Sequence, residues 1–199
     1  MKILFVTDDY PRSGSLDKSF IDGFQENGFE VKTVYPLLET KFNNDTLRAR
    51  LINRVRIELK LYEKSIFKTL ARIDLKEFDL VFVFKGYYFN EEAFQLLKSK
   101  PIYCYNPDDP YNYITSNKNI RTLISEYDGY FTYSREVLKT LQKKETTEIY
   151  HVPLASDFSV FKKKLSQTKK YPISFIGNYD LERETYLKEI REINNLFIF

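Results

Sequence analysis

The chain predicts an α/β fold, a Rossmann-like doubly wound parallel sheet of about six strands, on three observations. Short runs of Val, Ile, Phe and Tyr recur with almost no charge, longer amphipathic stretches separate them, and the two kinds alternate from the N-terminus onward. Runs without polar alternation belong to strands covered on both faces, which is the parallel arrangement.

Residues 3–6 form the first strand, and Ser15 stands where an N-cap belongs before a helix over 16–27. A second strand covers 31–35. Residues 45–72 then read as one long helix, because apolar residues keep near-helical spacing with no Gly or Pro between them. The third strand, 80–84, precedes a helix over 90–98, in which Asn90 is the cap and Glu91-Glu92 suit the positive end of the helix dipole. Strand 102–105, helix 119–126, strand 130–133, a helix over 134–143 capped by Ser134, and strand 149–152 complete the alternation.

After His151-Val152-Pro153 the pattern changes. Residues 161–171, with Lys162-Lys163-Lys164 and Lys169-Lys170, are polar and aperiodic, as a linker is. Ile173-Ser174-Phe175-Ile176 then reads as a strand, Gly177-Asn178-Tyr179-Asp180 as a loop, 181–194 as a helix with Leu187, Ile190 and Ile193 on one side, and Leu196-Phe197-Ile198-Phe199 as the opening of another strand. Such a piece cannot bury its own faces. Either it docks on the first domain or it opens a second one. The expected organisation is a domain over 1–157, a linker over 158–171, and the incomplete start of a second domain over 172–199.

Composition limits the function classes. The 199 residues carry 31 Lys+Arg against 28 Asp+Glu, a net charge of +3, with 43% apolar and 17% aromatic residues. That suffices for a buried core and is too balanced for a disordered or strongly nucleic-acid-binding chain, so no nucleic-acid partner is expected. One thiol, Cys104, makes no internal disulfide, and Ile3-Leu4-Phe5-Val6 is too short for a signal segment or a membrane span. A cytoplasmic location follows as the expectation. The abundance of Tyr, Phe, Lys and Asn without Trp fits an AT-rich bacterial coding bias.

In open α/β sheets ligands bind beyond the carboxyl ends of the strands, so the candidate residues cluster there. The loop from Thr7 to Ser15 holds Asp8, Asp9 and Gly14 and leads into a helix whose N–H groups and dipole favour an anion. Its single glycine excludes the dinucleotide fingerprint and the P-loop. An acidic pair such as Asp8-Asp9 occurs in response-regulator receivers, but those need a carboxylate at the end of the third strand, where this chain has Phe84-Lys85-Gly86. Lys85, Gly86, Tyr87 and Tyr88 follow the third strand. Asn106, Pro107, Asp108, Asp109, Pro110, Tyr111 and Asn112 follow the fourth. Carboxylates that accept hydroxyl protons and aromatic faces that stack suit a polyhydroxyl or nucleotide ligand, while the same Pro-Asp-Asp-Pro run also reads as a plain turn. With no third ligand in view, no metal site is expected. His151 reads as a packed imidazole, and Cys104 as inert core.

The stretch over 45–72 is the most basic. Arg48, Arg50, Arg54, Arg56, Lys60, Lys64, Lys68 and Arg72 oppose Glu58 and Glu63, and Leu47, Leu51, Val55, Leu59, Ile66 and Leu70 form an apolar stripe. The expected arrangement turns that stripe onto the sheet and leaves a basic back in solvent. Peripheral contact with an anionic membrane at the inner face, made through the helix from Arg48 to Arg72, is the other outcome.

Taken in order, these segments resemble a known family. Met1-Lys2-Ile3-Leu4-Phe5-Val6, Asp79-Leu80-Val81-Phe82-Val83-Phe84-Lys85-Gly86 and Tyr105-Asn106-Pro107-Asp108-Asp109-Pro110 resemble the N-terminal half of GT-B glycosyltransferases, in particular the CgeB-like spore-maturation branch. Tyr127-Asp128-Gly129-Tyr130-Phe131-Thr132-Tyr133-Ser134 is similar to that family's fifth strand and cap. Tyr150-His151-Val152-Pro153-Leu154-Ala155-Ser156-Asp157 with Phe161 is similar to the segment closing its first domain, although Ala155-Ser156 replaces the common Gly and apolar residue. Ile173-Ser174-Phe175-Ile176-Gly177-Asn178-Tyr179-Asp180 with Glu182-Arg183 resembles the first strand and loop of its donor-binding domain.

The resemblance implies a transferase that moves a sugar from a nucleotide-sugar donor to a glycan, lipid-linked or protein acceptor, with the acceptor on the first domain, the donor mainly on the second and catalysis in the cleft between them. It implies donor contacts from Gly177 and Arg183, catalytic carboxylates at Asp108 and Asp109, and a cleft lined by Asp8, Asp9, Gly14, Lys85, Gly86, Tyr87 and Asn106. No cofactor is implied. The alternative is a non-catalytic Rossmann-like module that binds a glycan or a partner.

Overall fold

A computed structural model describes residues 1–36, 47–113, 115–155, 173–175, 177, 181–193 and 196–198. The chain divides into two units, Met1–Val160 and Phe161–Phe199. The linker expected over 158–171 and the loop residues 178–180 lie outside the described residues.

In the first unit, β1 (Lys2–Val6), β2 (Glu30–Val34), β3 (Leu80–Phe84), β4 (Ile102–Asn106), β5 (Gly129–Thr132) and β6 (Ile149–His151) form one all-parallel sheet in the order β2-β1-β3-β4-β5-β6. The fold is α/β and Rossmann-like, as the alternation predicts. Its helices are α1 (Leu16–Glu26), α2 (Leu47–Glu58), α3 (Leu61–Leu70), α4 (Glu91–Leu97), α5 (Lys118–Leu123) and α6 (Arg135–Leu141). Asn90 and Ser134 cap α4 and α6 through Ala93 N–H at 3.0 Å and Val137 N–H at 3.3 Å. Ser15 makes no such cap hydrogen bond.

Strand order dictates which face each helix takes. Parallel crossovers are right-handed, so helices on steps in one direction along the sheet share a face, and a step in the opposite direction changes face. From β1 to β2 the chain steps one way and carries α1; from β2 through β6 every step runs the other way. Accordingly α3, α4, α5 and α6 pack on one face, where Ile66, Leu70, Phe94, Leu97, Leu123 and Leu141 meet Leu4, Val81, Val83 and Cys104. The opposite face holds Phe5, Phe82, Phe84 and Tyr105 with Phe20, Ile21 and Phe24 of α1. The strands that read as unbroken apolar runs therefore alternate by kind, with largely aliphatic side chains under four helices and mainly aromatic ones under α1.

The long helix expected over 45–72 is two helices. Lys60 adopts a left-handed conformation, φ 53°, and separates α2 from α3. Only α3 turns its apolar stripe onto the sheet, burying Tyr62, Ile66 and Leu70, whereas α2 buries Ala49 and leaves Leu47, Leu51 and Val55 exposed, as is Leu59 in the turn after it. The expectation of a sheet-covering helix with a basic back holds for α3 and fails for α2. Among the described residues, no helix is long and apolar enough to cross a membrane.

The second unit contains β7 (Ile173–Phe175), α7 (Leu181–Ile193) and β8 (Leu196–Ile198), with β7 and β8 paired in parallel.

Candidate functional site at the carboxyl rim of the sheet

The strand order reverses at β1, so the loops after β1 and β3 diverge there and open the switch-point crevice of the sheet. The loop after β3 begins with backbone that few side chains adopt. Lys85 has φ 63° and Gly86 φ 76°, and Gly86 N–H donates to Phe84 O at 2.8 Å across a three-residue turn centred on Lys85. A left-handed lysine costs about 1 kcal/mol or more and persists only where its surroundings hold it. Here Lys85 N–H donates to Tyr105 O at 2.8 Å, and a Cβ on Gly86 would stand 2.9 Å from Val83 Cγ1. The turn sets Lys85 Nζ 2.7 Å from Asp108 Oδ2, with both side chains partly buried.

Past the turn, the N–H groups of Tyr87 and Tyr88 converge on one carboxylate. Tyr87 donates to Asp8 Oδ2 at 2.9 Å and Tyr88 to Asp8 Oδ1 at 3.0 Å. Successive N–H groups of this kind form an anion-binding concavity, and the chain fills it with its own side chain. Burial pushes the Asp8 carboxyl up to about 6, against the two N–H donations and the charge of Lys85. Asn117 closes the arrangement from a distant loop, donating to Tyr87 O at 2.6 Å while its Oδ1 caps α5.

The second anion position, the start of α1, is also filled from within. Asp17, buried, accepts from the Thr7 hydroxyl at 3.0 Å, from the Ser15 hydroxyl and from Lys18 N–H at 2.9 Å. Both places where the switch point could hold a phosphate thus carry an internal carboxylate.

The loop after β4 is pinned by its own side chains. Asn106 Oδ1 accepts Asp108 N–H at 3.0 Å, and Asp109 Oδ1 accepts Tyr111 N–H at 2.8 Å. So the turn reading and the site reading of Asn106 to Tyr111 describe the same residues: the turn is what presents Asp108 to Lys85. Beneath it, Asn106 Nδ2 and Tyr130 Oη are buried without a hydrogen bond of acceptable geometry, although the amide is close enough to oppose the burial-driven rise of the phenol.

Of the residues expected at the first domain's cleft, the structure brings Asp8, Lys85, Gly86, Tyr87, Asn106 and Asp108 together. Asp9 is exposed, accepting Tyr10 N–H at 2.8 Å with Arg12 Nη2 at 4.0 Å, and Gly14 supplies a left-handed position, φ 84°, in the same loop. His151 Nε2 sits 2.9 Å from Tyr133 O, and burial pushes the Cys104 thiol up, so both behave as packed residues. Asn117 and Asp17 had no counterpart among the expected site residues; the position of Asn117 just before a helix was the available signal. In the second unit, Arg183 lies over the Phe175 ring, 5.5 Å from its centroid, and a Cβ on Gly177 would meet that ring at 2.6 Å. A side chain at position 177 would therefore push the Phe175 ring out of its place beneath Arg183.

A cavity of about 910 Å³ lies elsewhere, on the aromatic face between α1 and residues 152–155, lined by Phe20, Phe24, Phe82, Tyr105, Phe131 and Leu154. Among the described residues, no three His, Cys, Asp or Glu side chains converge as a metal ligand set. No protein-family model matches the chain, and no curated protein matches it.

Proposed function

We propose that this protein is the acceptor-side part of a GT-B-type glycosyltransferase of the CgeB-like branch, transferring a sugar from a nucleotide-sugar donor to a glycan, lipid-linked or protein acceptor. The observation that carries this reading is the internal filling of both anion positions at the switch point by Asp8 and Asp17, beside a lysine–carboxylate pair. A rim built that way repels phosphate and suits a neutral polyhydroxyl, which is an acceptor's chemistry. The donor's nucleotide is assigned to the second unit, with Gly177 and Arg183 as its contacts. Asp109 serves as general base: it takes the proton from an acceptor hydroxyl as that oxygen bonds to the anomeric carbon and the bond to the nucleotide phosphate breaks. Asp108, held by Lys85, orients the hydroxyl.

The test is sugar transfer by the intact gene product with a panel of nucleotide sugars. Asp109→Asn is expected to lower kcat about 100-fold or more, and Lys85→Ala to raise the acceptor KM with a smaller change in kcat. Transfer unaffected by both substitutions would remove this rim from the reaction. A binding module is the second reading, favoured by the cavity on the aromatic face. It predicts calorimetric heat with oligosaccharides and none with any nucleotide sugar.

A further inference from the structure

The outward face of α2 is inverted relative to an ordinary surface helix. Leu47, Leu51 and Val55 recur at every fourth residue along about 12 Å of helix, Leu59 continues the row in the turn just past its end, and the four are 86, 63, 45 and 55% exposed. The side facing the protein holds Ala49, Asn53 and Arg56, and α2 is tied to α3 through the Tyr62 hydroxyl, which donates to Asn53 Oδ1 at 3.2 Å. A contiguous apolar row left in solvent on a helix marks a contact surface. Its flanks are strongly one-signed: Arg48, Arg50 and Arg54, with Lys60 just past the helix end, against Glu58, which pairs with Arg54 at 3.2 Å. Beside the row, Arg50, Asn53, Arg54, Ile57 and Glu58 line a shallow hollow of about 530 Å³.

We infer that α2 is an interfacial helix that docks the protein on an anionic phospholipid surface, the leucine row entering the acyl boundary and the arginines meeting head-group phosphates. The charge decides between occupants. A second copy pairing its own row here would bring two sets of arginines together, whereas an anionic bilayer takes the row and the charge at once. The break at Lys60 makes this geometry possible, because it lets α3 bury its stripe on the sheet while α2 turns its own outward. The inference is independent of the glycosyltransferase reading.

The experiment is co-sedimentation of the 199-residue chain with vesicles of equimolar phosphatidylglycerol and phosphatidylcholine, and with phosphatidylcholine alone. The chain is expected to pellet with the anionic vesicles, to stay in solution with the neutral ones, and to lose binding as salt rises. Arg48→Glu with Arg54→Glu is expected to lower the partition coefficient at least 25-fold, about fivefold per charge lost near the surface. Leu51→Ser with Val55→Ser is expected to lower it more than about tenfold. Both pairs are exposed, so their melting temperatures should match that of the parent chain and separate lost docking from lost folding. Equal pelleting on neutral vesicles, or binding that either pair leaves unchanged, overturns the inference. So does a dimer in sedimentation velocity that Leu51→Ser with Val55→Ser dissociates while vesicle binding is absent.

Discussion

Asp8 concentrates the chemistry of the rim in one side chain. Its carboxylate closes the turn after β3 by accepting two successive N–H groups, yet burial holds its pKa at about 6 against an ordinary 3.8. The folded state therefore binds a proton more tightly than the unfolded chain does. The stabilisation from that proton is complete below 3.8 and is lost as pH rises through about 6. Asp8→Asn stays neutral throughout and lacks this dependence. In urea titrations across that range, the stability of the parent chain relative to Asp8→Asn should fall as pH rises; a flat difference would show that the carboxylate is solvated, and a climbing one that its two N–H donors and Lys85 outweigh burial. The carboxyl-end rule makes Asp8, Lys85 and Asp108 legible as rim residues from the sequence alone. What it left unseen was tertiary: Asp8 is satisfied by backbone 79 and 80 residues away, and Asn117 reaches Tyr87 across 30.

At the scale of elements, the strands were legible because their apolar runs are short and bounded, and all six lie within a residue or so of the expected positions. The join between α2 and α3 was not. No Gly or Pro marks it, the apolar spacing carries straight through, and only the left-handed Lys60 ends one helix and starts the next. That break gives similar side chains opposite energetic roles. Ile66 is fully buried against the sheet, so Ile66→Ala should cost about 2–4 kcal/mol in urea unfolding. Leu51→Ala removes a side chain that is 63% exposed and should stay within about 0.5 kcal/mol. Equal costs at both positions would mean that α2 packs its stripe as α3 does, and would remove the basis for an interfacial helix.

At the scale of the whole molecule, the two units differ in what they can bury. The first has a six-stranded sheet with a helix layer on one face and α1 on the other, and its central strands β1, β3 and β4 are almost wholly enclosed. Among its described residues the second pairs two three-residue strands with one helix, and it leaves Leu181 71%, Tyr186 58% and Ile190 39% exposed. Opening free energy follows burial and protected hydrogen bonds, so the chain should not open as a single cooperative body. Native-state hydrogen exchange on the 199-residue chain is the direct measure. Amides of Val81 and Val83 should exchange only through global unfolding, and those of residues 173–175 through local opening that lies about 3 kcal/mol or more lower. Denaturant separates the two mechanisms, because global opening exposes far more surface and its exchange accelerates steeply with urea, whereas local opening responds weakly. If β7 instead shared the protection and the urea dependence of β3, the second unit would open only together with the sheet, and the division of the chain at Val160 would have no thermodynamic counterpart.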